Sequence, residues 1–452
     1  MSEWAHLLIY LVTVLACVSM QFQLFIPGKN WRLSLAELAS LLETKGIKFA
    51  VCSFSKDFFV VKTEEKVDSS IIDDLGGTIK IGVSASDFPT EIVKRAFLQK
   101  DKEAQVQIGR EIADSGLVDE MFKTESEKAL FGVSVYCAEK QLRVVSKGIQ
   151  RFVGSCIKRE LLGCGKKSKF MGFAKSRKFP QLSHVEVLKK KMVENKAEIL
   201  FCVGREQTFV AVTVAVHNPF EFQKRDVGKP VQRKIFAIPP RLARIMVNLA
   251  ACTEGEVLLD PFCGVGTILQ EALLAKAKAI GVDINRWCVE ATSRNMEWLK
   301  DEYSLETAEY RVLQGDVQRL SQKIGWDQVD CVATEPDLGP ALRQMPTTSY
   351  AVRIAEKLEP LYYSLLEEAY KVLKRGGRLV LVSPYIKTRS GNPVTMKIEE
   401  KAAELGFERV YPFKREFFAD DAAVPENLMA MASLVDAEER HKIGREIHVF
   451  QK

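Results

Sequence analysis

The hydrophobic pattern divides the chain into successive α/β stretches. From residue 20, an apolar run at 22–26 gives way to helical spacing in LAELASLLETKG, and short apolar runs return at 49–53 and 58–62. Runs of this length predict strands, and apolar residues three and four apart predict a helix. Residues 20–85 therefore read as a small α/β unit. Ser34 with Glu37 three residues on has capping-box spacing and is predicted to start the helix, with Gly46 closing it. A second α/β region runs over 86–215, with strands predicted at 130–136, 198–203 and 209–216 and a helix at 146–162. Residues 216–238 are polar, carry Pro219 and Pro230, and read as a linker.

From 239 to 452 strand and helix alternate. Strands are predicted at 257–260, 279–283, 310–314, 329–334 and 378–383, and helices at 267–278, 287–300 and 361–373, the last closed by Gly376 and Gly377. Further strand candidates lie at 407–413 and 447–451. Such alternation predicts a mostly parallel sheet covered on both faces.

Residues 1–19 stand apart. Their apolar run at 7–18 has signal-peptide length and is short for a membrane span, but Glu3 precedes it and no Lys or Arg does. The stretch is expected to be an extension or mis-called start. A buried extra element and a membrane anchor are the alternatives, and no membrane association is expected. The composition, 47% hydrophobic and 27% charged, is that of a globular protein, and 452 residues imply more than one domain. The ten cysteines include no C-x-x-C pair and the five histidines form no sequence cluster, so neither a metal site nor a redox dithiol is predicted. Dispersed cysteines in a long chain read as reduced and cytoplasmic.

The strongest chemical signal is EVLLDPFCGVGTILQEALL. An apolar strand ends at Asp260, a tight loop with Gly264 and Gly266 follows, and a helix begins at Thr267. Ligands of open parallel sheets bind beyond the carboxyl ends of the strands. A dinucleotide loop would want a third glycine at position 269, which is Leu269. Asp260 instead suits a ligand with an ammonium group. The next strand ends in Asp283, 23 residues after Asp260 and suited to ribose hydroxyls, and the third is followed by Asp316, suited to an adenine amino group. Three acids at successive strand ends form an S-adenosyl-L-methionine pattern. The competing reading is three helix N-caps.

The fourth predicted strand runs into EPDL at 335–338. This resembles the D/N-P-P-aromatic loop of methyltransferases that act on planar amino groups. The lone pair of such an amine is delocalised into its ring, so acceptors for its hydrogens and in-line positioning carry the chemistry. Here Glu335 takes the acidic position, Pro336 the first proline, Asp337 the second and Leu338 the aromatic one. The missing ring is expected from Tyr385.

Residues 140–178 hold twelve basic side chains against one acid, a net of +11 in a chain whose total is +6. Phe170, Phe173 and Phe179 are interleaved. A basic block with aromatics suits a phosphate backbone and unstacked bases, and a solvated helix face is the alternative.

With these residues in view, 20–452 resembles the THUMP-containing tRNA guanine-N2-methyltransferases that modify guanosine 10. GKNWRLSLAEL, VAVHNPFEFQKRDVGKP, FAIPPRLARIMVNLA, LLDPFCGVGTILQEALL and KIGREIHVF carry the resemblance. It implies an α/β protein with a ferredoxin-like domain (20–85), a THUMP RNA-binding domain (86–215), a linker (216–238) and a seven-stranded Rossmann-like class I methyltransferase domain (239–452). It implies S-adenosyl-L-methionine held by Asp260, Phe262, Gly264, Gly266, Thr267, Asp283, Ile284, Asp316 and Val317. Glu335, Pro336 and Asp337 are the implied catalytic loop, and tRNA the implied partner, contacted by Lys166, Lys167, Lys169, Arg177, Lys178 and Arg225. The eukaryotic members also use a small activating protein. Methylation of another RNA or of DNA, and a non-catalytic RNA-binding role, are the other functions this sequence admits.

Overall fold

A computed structural model of the chain describes residues 21–122, 129–172, 179–233 and 237–452. The extension at 1–19 lies outside them. Two sheets carry the fold. The first contains β1 (Gln21–Pro27), β2 (Phe49–Phe54), β3 (Phe59–Thr63), β4 (Thr78–Pro89), β5 (Ala129–Cys137), β6 (Ser168–Phe170), β7 (Glu198–Val203) and β8 (Gln207–Val216), in the order β2-β3-β1-β4-β8-β7-β5-β6. The boundary expected at 85/86 falls inside β4. This strand pairs antiparallel with β1 on one edge and with β8 on the other, from Lys80↔Val216 to Pro89↔Gln207. The two expected N-terminal units thus share one sheet.

The second sheet contains β9 (Val257–Asp260), β10 (Lys278–Asp283), β11 (Tyr310–Gln314), β12 (Val329–Thr334), β13 (Leu373–Ile386), β14 (Glu408–Arg409), β15 (Leu434–Asp436) and β16 (Ile443–Gln451). Its order is β11-β10-β9-β12-β13-β16-β14, with β15 also on β16. β9 to β13 are parallel neighbours and β16 enters antiparallel. This is the seven-stranded class I methyltransferase arrangement plus a short eighth strand. The order reverses beside β9, so the carboxyl ends of β9, β10 and β12 open onto one crevice.

Several local readings are corrected. The first helix runs over Trp31–Thr44, and Asn30 caps it by accepting the Leu33 N–H. Ser34 and Glu37 form no capping box: both are buried inside the helix, where helical spacing also turns them toward a neighbour. The Glu37 carboxylate accepts the Gly76 and Gly77 N–H groups, each at 2.7 Å, and the Asn248 amide at 2.8 Å. A Cβ on Gly77 would stand 2.8 Å from the Glu37 carboxylate, so this approach requires glycine. Burial pushes the Glu37 carboxyl up to about 7, against the hydrogen bonds of Gly76, Gly77 and Asn248. Asn248 belongs to helix Pro240–Leu249, so Glu37 seals the joint between the two halves; Leu33, Leu38, Leu242 and Met246 share one apolar core there.

The helix predicted at 361–373 spans Thr348–Val372, with Pro360 inside it and Thr347 as its cap. Proline commonly marks a first helical turn, which is why the sequence suggests a later start. The expected linker contains a helix, Pro219–Val227, capped by Asn218. The strand expected at 407–413 is reduced to Glu408–Arg409. Among the described residues no helix is long and apolar enough to cross a membrane.

Candidate active site

The apolar residues of β9 bury it in the sheet and deliver Asp260 at its end. Asp260 is 2% exposed; its Oδ1 accepts the Phe262 N–H at 3.1 Å and the Thr334 hydroxyl at 2.7 Å. Burial pushes its carboxyl up to about 7, opposed by those two hydrogen bonds. Gly266 has φ +83° and starts helix Thr267–Leu274; a Cβ there would also meet Thr292 at 2.8 Å.

At the end of β10, Asp283 accepts the Gly264 N–H at 3.0 Å through Oδ2 and the Asn285 N–H at 2.8 Å through Oδ1. Each oxygen keeps a second lone pair for a ligand. The exposed Ile284 follows it. Asp316 is an N-cap, accepting the Gln318 N–H at 3.0 Å, and Val317 is buried in the core. For Asp316 the N-cap reading therefore describes what the side chain does here.

Glu335 leaves the end of β12. Its carboxylate is held in a fork by Arg445 of β16, Nη2 donating to Oε1 at 3.0 Å and Nε to Oε2. Pro336 is buried behind it. Asp337 is exposed and accepts the Gly339 N–H at 3.0 Å, while its carbonyl accepts the hydroxyl of buried Tyr362 at 3.0 Å. A cleft of 990 Å³ joins these groups: Asp283 and Phe262 line one side, Glu335, Asp337 and Arg445 another, and Tyr350 stands at its wall. Tyr385 does not line it. That residue sits in β13 opposite Gly444.

Residues 230–401 match the UPF0020 family, described as RMKL-like, methyltransferase domain. The matched stretch contains β9 to β13 and the glycine loop, so the likeness falls on the domain that holds the cleft. The chain is 33% identical over 163 residues to a tRNA (guanine(10)-N2)-dimethyltransferase of Methanothermobacter thermautotrophicus, covering 35% of this chain and 43% of that one. It is 28% identical over 171 residues to the mouse tRNA (guanine(10)-N(2))-methyltransferase TRMT11, covering 32% and 37%. The match thus spans less than half the length of either relative. TrmN from Thermus thermophilus, at 15% identity and TM-score 0.50, covers 96% of this chain and 99% of its own; the likeness is one of fold.

The methyltransferase domain uses residues that the sequence did not single out. Asn295 ties the connector to the glycine loop: its side chain donates to the Val231 and Val265 carbonyls, both at 2.9 Å, and accepts the Val231 N–H. Lys229 donates to the Thr267 hydroxyl at 2.9 Å, so Thr267 is buried under the connector. Arg225, expected to meet RNA, is 5% exposed and ion-paired with Glu271 at 2.6 Å, beside Arg244 on the same carboxylate. The connector is docked on this domain, and its arginine is consumed in holding it there. Glu399, half-buried, lies 3.0 Å from the buried His448 ring, and Ser383 lies 2.8 Å from the same ring, a grouping that sequence spacing hides.

Outside the methyltransferase domain, the basic block resolves into an amphipathic helix, Lys140–Gly163. It buries Leu142, Ile149, Val153 and Leu161 and exposes Lys147, Arg151 and Lys158. Lys167 and Lys169 are exposed, whereas the Lys166 ammonium donates to the Met121 carbonyl at 2.7 Å. Phe170 packs on Phe131 with ring centroids 5.2 Å apart and so serves the core. Phe173, Arg177 and Lys178 lie outside the described residues.

Proposed function

We propose that the chain transfers a methyl group from S-adenosyl-L-methionine to the exocyclic N2 amino group of a guanosine in tRNA, position 10 being the expected target. The observation that carries this reading is one cleft holding both Asp283 and Glu335, the acids of two strand ends with different tasks. The relatives named above act, by their names, on guanine 10 of tRNA.

The residues present fit the cofactor. Asp283 offers free lone pairs beside a glycine loop with little side-chain bulk, Phe262 and Ile284 offer apolar surface, and Asp260 is a buried acid that gains from a cationic neighbour. Bound there, S-adenosyl-L-methionine supplies an electrophilic methyl group. The chain's own part is to hold the amine. Glu335 accepts a hydrogen of the amino group, stabilises the positive charge that develops on nitrogen, and takes up the proton the nitrogen sheds. Arg445 holds that carboxylate toward the cleft by a bidentate contact.

In the same proposal, residues 20–85 are a ferredoxin-like unit and 86–215 a THUMP domain that places tRNA by its phosphates, with Lys167 and Lys169 among the contacts. A cytoplasmic location, no metal, and a small activating protein complete it. The test is nucleoside analysis of tRNA incubated with the chain and labelled cofactor. Label in N2-methylguanosine at position 10 is expected. Label in another nucleoside, or none with a bound cofactor, refutes the assignment.

A further inference from the structure

We propose that Tyr350, Arg353 and Lys357 form the nucleotide subsite of the cleft: the Tyr350 ring stacks on the base that presents its amino group to Glu335, and the two cations engage the phosphates flanking it. This rests on the reading of the cleft as acting on an RNA base. Positions 350, 353 and 357 are three and four apart, so helix Thr348–Val372 presents them on one face. All three line the cleft that holds Glu335 and Asp337. The same helix buries Ile354 and Leu358 beneath them, which fixes that face in place.

A ring is needed there and the loop does not supply it. Leu338 stands at the aromatic position of the motif and packs against the core. Of the two aromatic residues lining the cleft, Phe262 belongs to the glycine loop beside Asp283, and Tyr350 faces the substrate side, 42% exposed. Stacking is tolerant of base identity, because every base has a π-face. The Arg353 guanidinium stands 5.7 Å from the centre of the Tyr350 ring, which orients both. Neither Arg353 nor Lys357 has an ion-pair partner among the described residues, so both charges are available to phosphate. The cleft thus has an acidic floor for an amine and a cationic wall for its backbone.

The test uses the full chain and a single-stranded oligoribonucleotide with a central 2-aminopurine, whose amino group occupies the position of guanine N2. Stacking should quench its fluorescence on binding. Tyr350→Ala should abolish most of the quench, Tyr350→Leu should do the same, and Tyr350→Phe should keep it. With Arg353→Gln and Lys357→Gln together, the quench at saturation should persist while the slope of log affinity against log salt falls by roughly 1.4, the value for two phosphates on a single strand. Cofactor affinity, measured by calorimetry, should stay unchanged in every variant. On tRNA, Tyr350→Ala should lower kcat/KM roughly ten- to hundredfold. No quench with the wild-type chain, a full quench with Tyr350→Ala, or an unmoved salt slope overturns the subsite. A Tyr350-dependent quench in a chain that methylates no tRNA upholds the subsite and refutes the proposed function. Methylation of tRNA at an unchanged kcat/KM in Tyr350→Ala does the reverse.

Discussion

The two sides of the cleft are built by different means. On the cofactor side each acid holds a backbone N–H two residues on, Asp260 that of Phe262 and Asp283 that of Asn285, and adds one more distant donor, Thr334 for Asp260 and Gly264 for Asp283. On the substrate side Glu335 is held by a side chain 110 residues away, Arg445. The first side is a set of turns that rigid strands deliver ready-made. The second exists only once β16 has inserted antiparallel beside β13. Cofactor binding should therefore depend on single residues with local effects, and turnover on a contact between distant strands.

The largest expected effect tests that contact. Glu335→Gln keeps an acceptor oxygen and loses the charge, so steady-state turnover on tRNA should fall by roughly 10²–10⁴ while cofactor affinity holds. Arg445→Lys keeps the charge without the fork and should fall between wild type and Glu335→Gln. Asp337→Asn should cost less than either. If Asp337→Asn is the more damaging change, the two acids exchange roles.

The cofactor side should answer through affinity. Asp283→Ala removes charge-assisted acceptors and should weaken S-adenosyl-L-methionine binding at least about tenfold by calorimetry. Turnover should recover at saturating cofactor, unlike that of Glu335→Gln. A loss of turnover that cofactor cannot restore would show that the two sides are not separable in this way.

A smaller effect is expected at the basic block, beyond the end of its helix. Lys167→Ala with Lys169→Ala should weaken tRNA binding severalfold and lower the salt slope by about 1.8, or 0.9 per phosphate on duplex. Cofactor affinity should not move. Arg225→Ala should instead lower the melting temperature, because it leaves Glu271 buried with one cation fewer.

The smallest effect concerns Glu37, whose folded-state carboxyl is raised from 4.5 to about 7. A raised acid contributes stability that is fully present below its unfolded value and is lost as pH rises through the folded value. Melting temperatures should show this loss between about pH 4.5 and 7 in the wild type. Glu37→Gln does not titrate and should lack that part of the slope, whatever its constant offset. Asp260 contributes a loss of the same sign over a similar range, so the difference between the two chains is the quantity to read.

Much of the site was legible because it is local. An apolar run closed by an acid is a strand end over a crevice, and Asp260, Asp283 and Glu335 all follow that form. The parallel class of the sheet could be read from the alternation of strand and helix. Asp316 shares the form and caps a short helix, because an acid after a strand and before a turn serves either purpose. Glu37 misled for a related reason. Capping-box spacing also describes two residues on one helix face, and here that face is buried against Asn248 and Gly77.

What the chain by itself determined is therefore most strands of the C-terminal sheet, the class of that sheet and the acids at its strand ends, each dictated by residues within a few positions of one another. Tertiary structure decided that β4 would join two regions into one sheet, that Arg225 would be buried and Lys167 exposed, that Tyr350 and not Tyr385 would face the cleft, and that Arg445 would hold Glu335. Those outcomes depend on which surfaces meet. A single sequence carries no periodicity for contacts between residues a hundred positions apart, whose pairing is set by the packing of whole strands and helices.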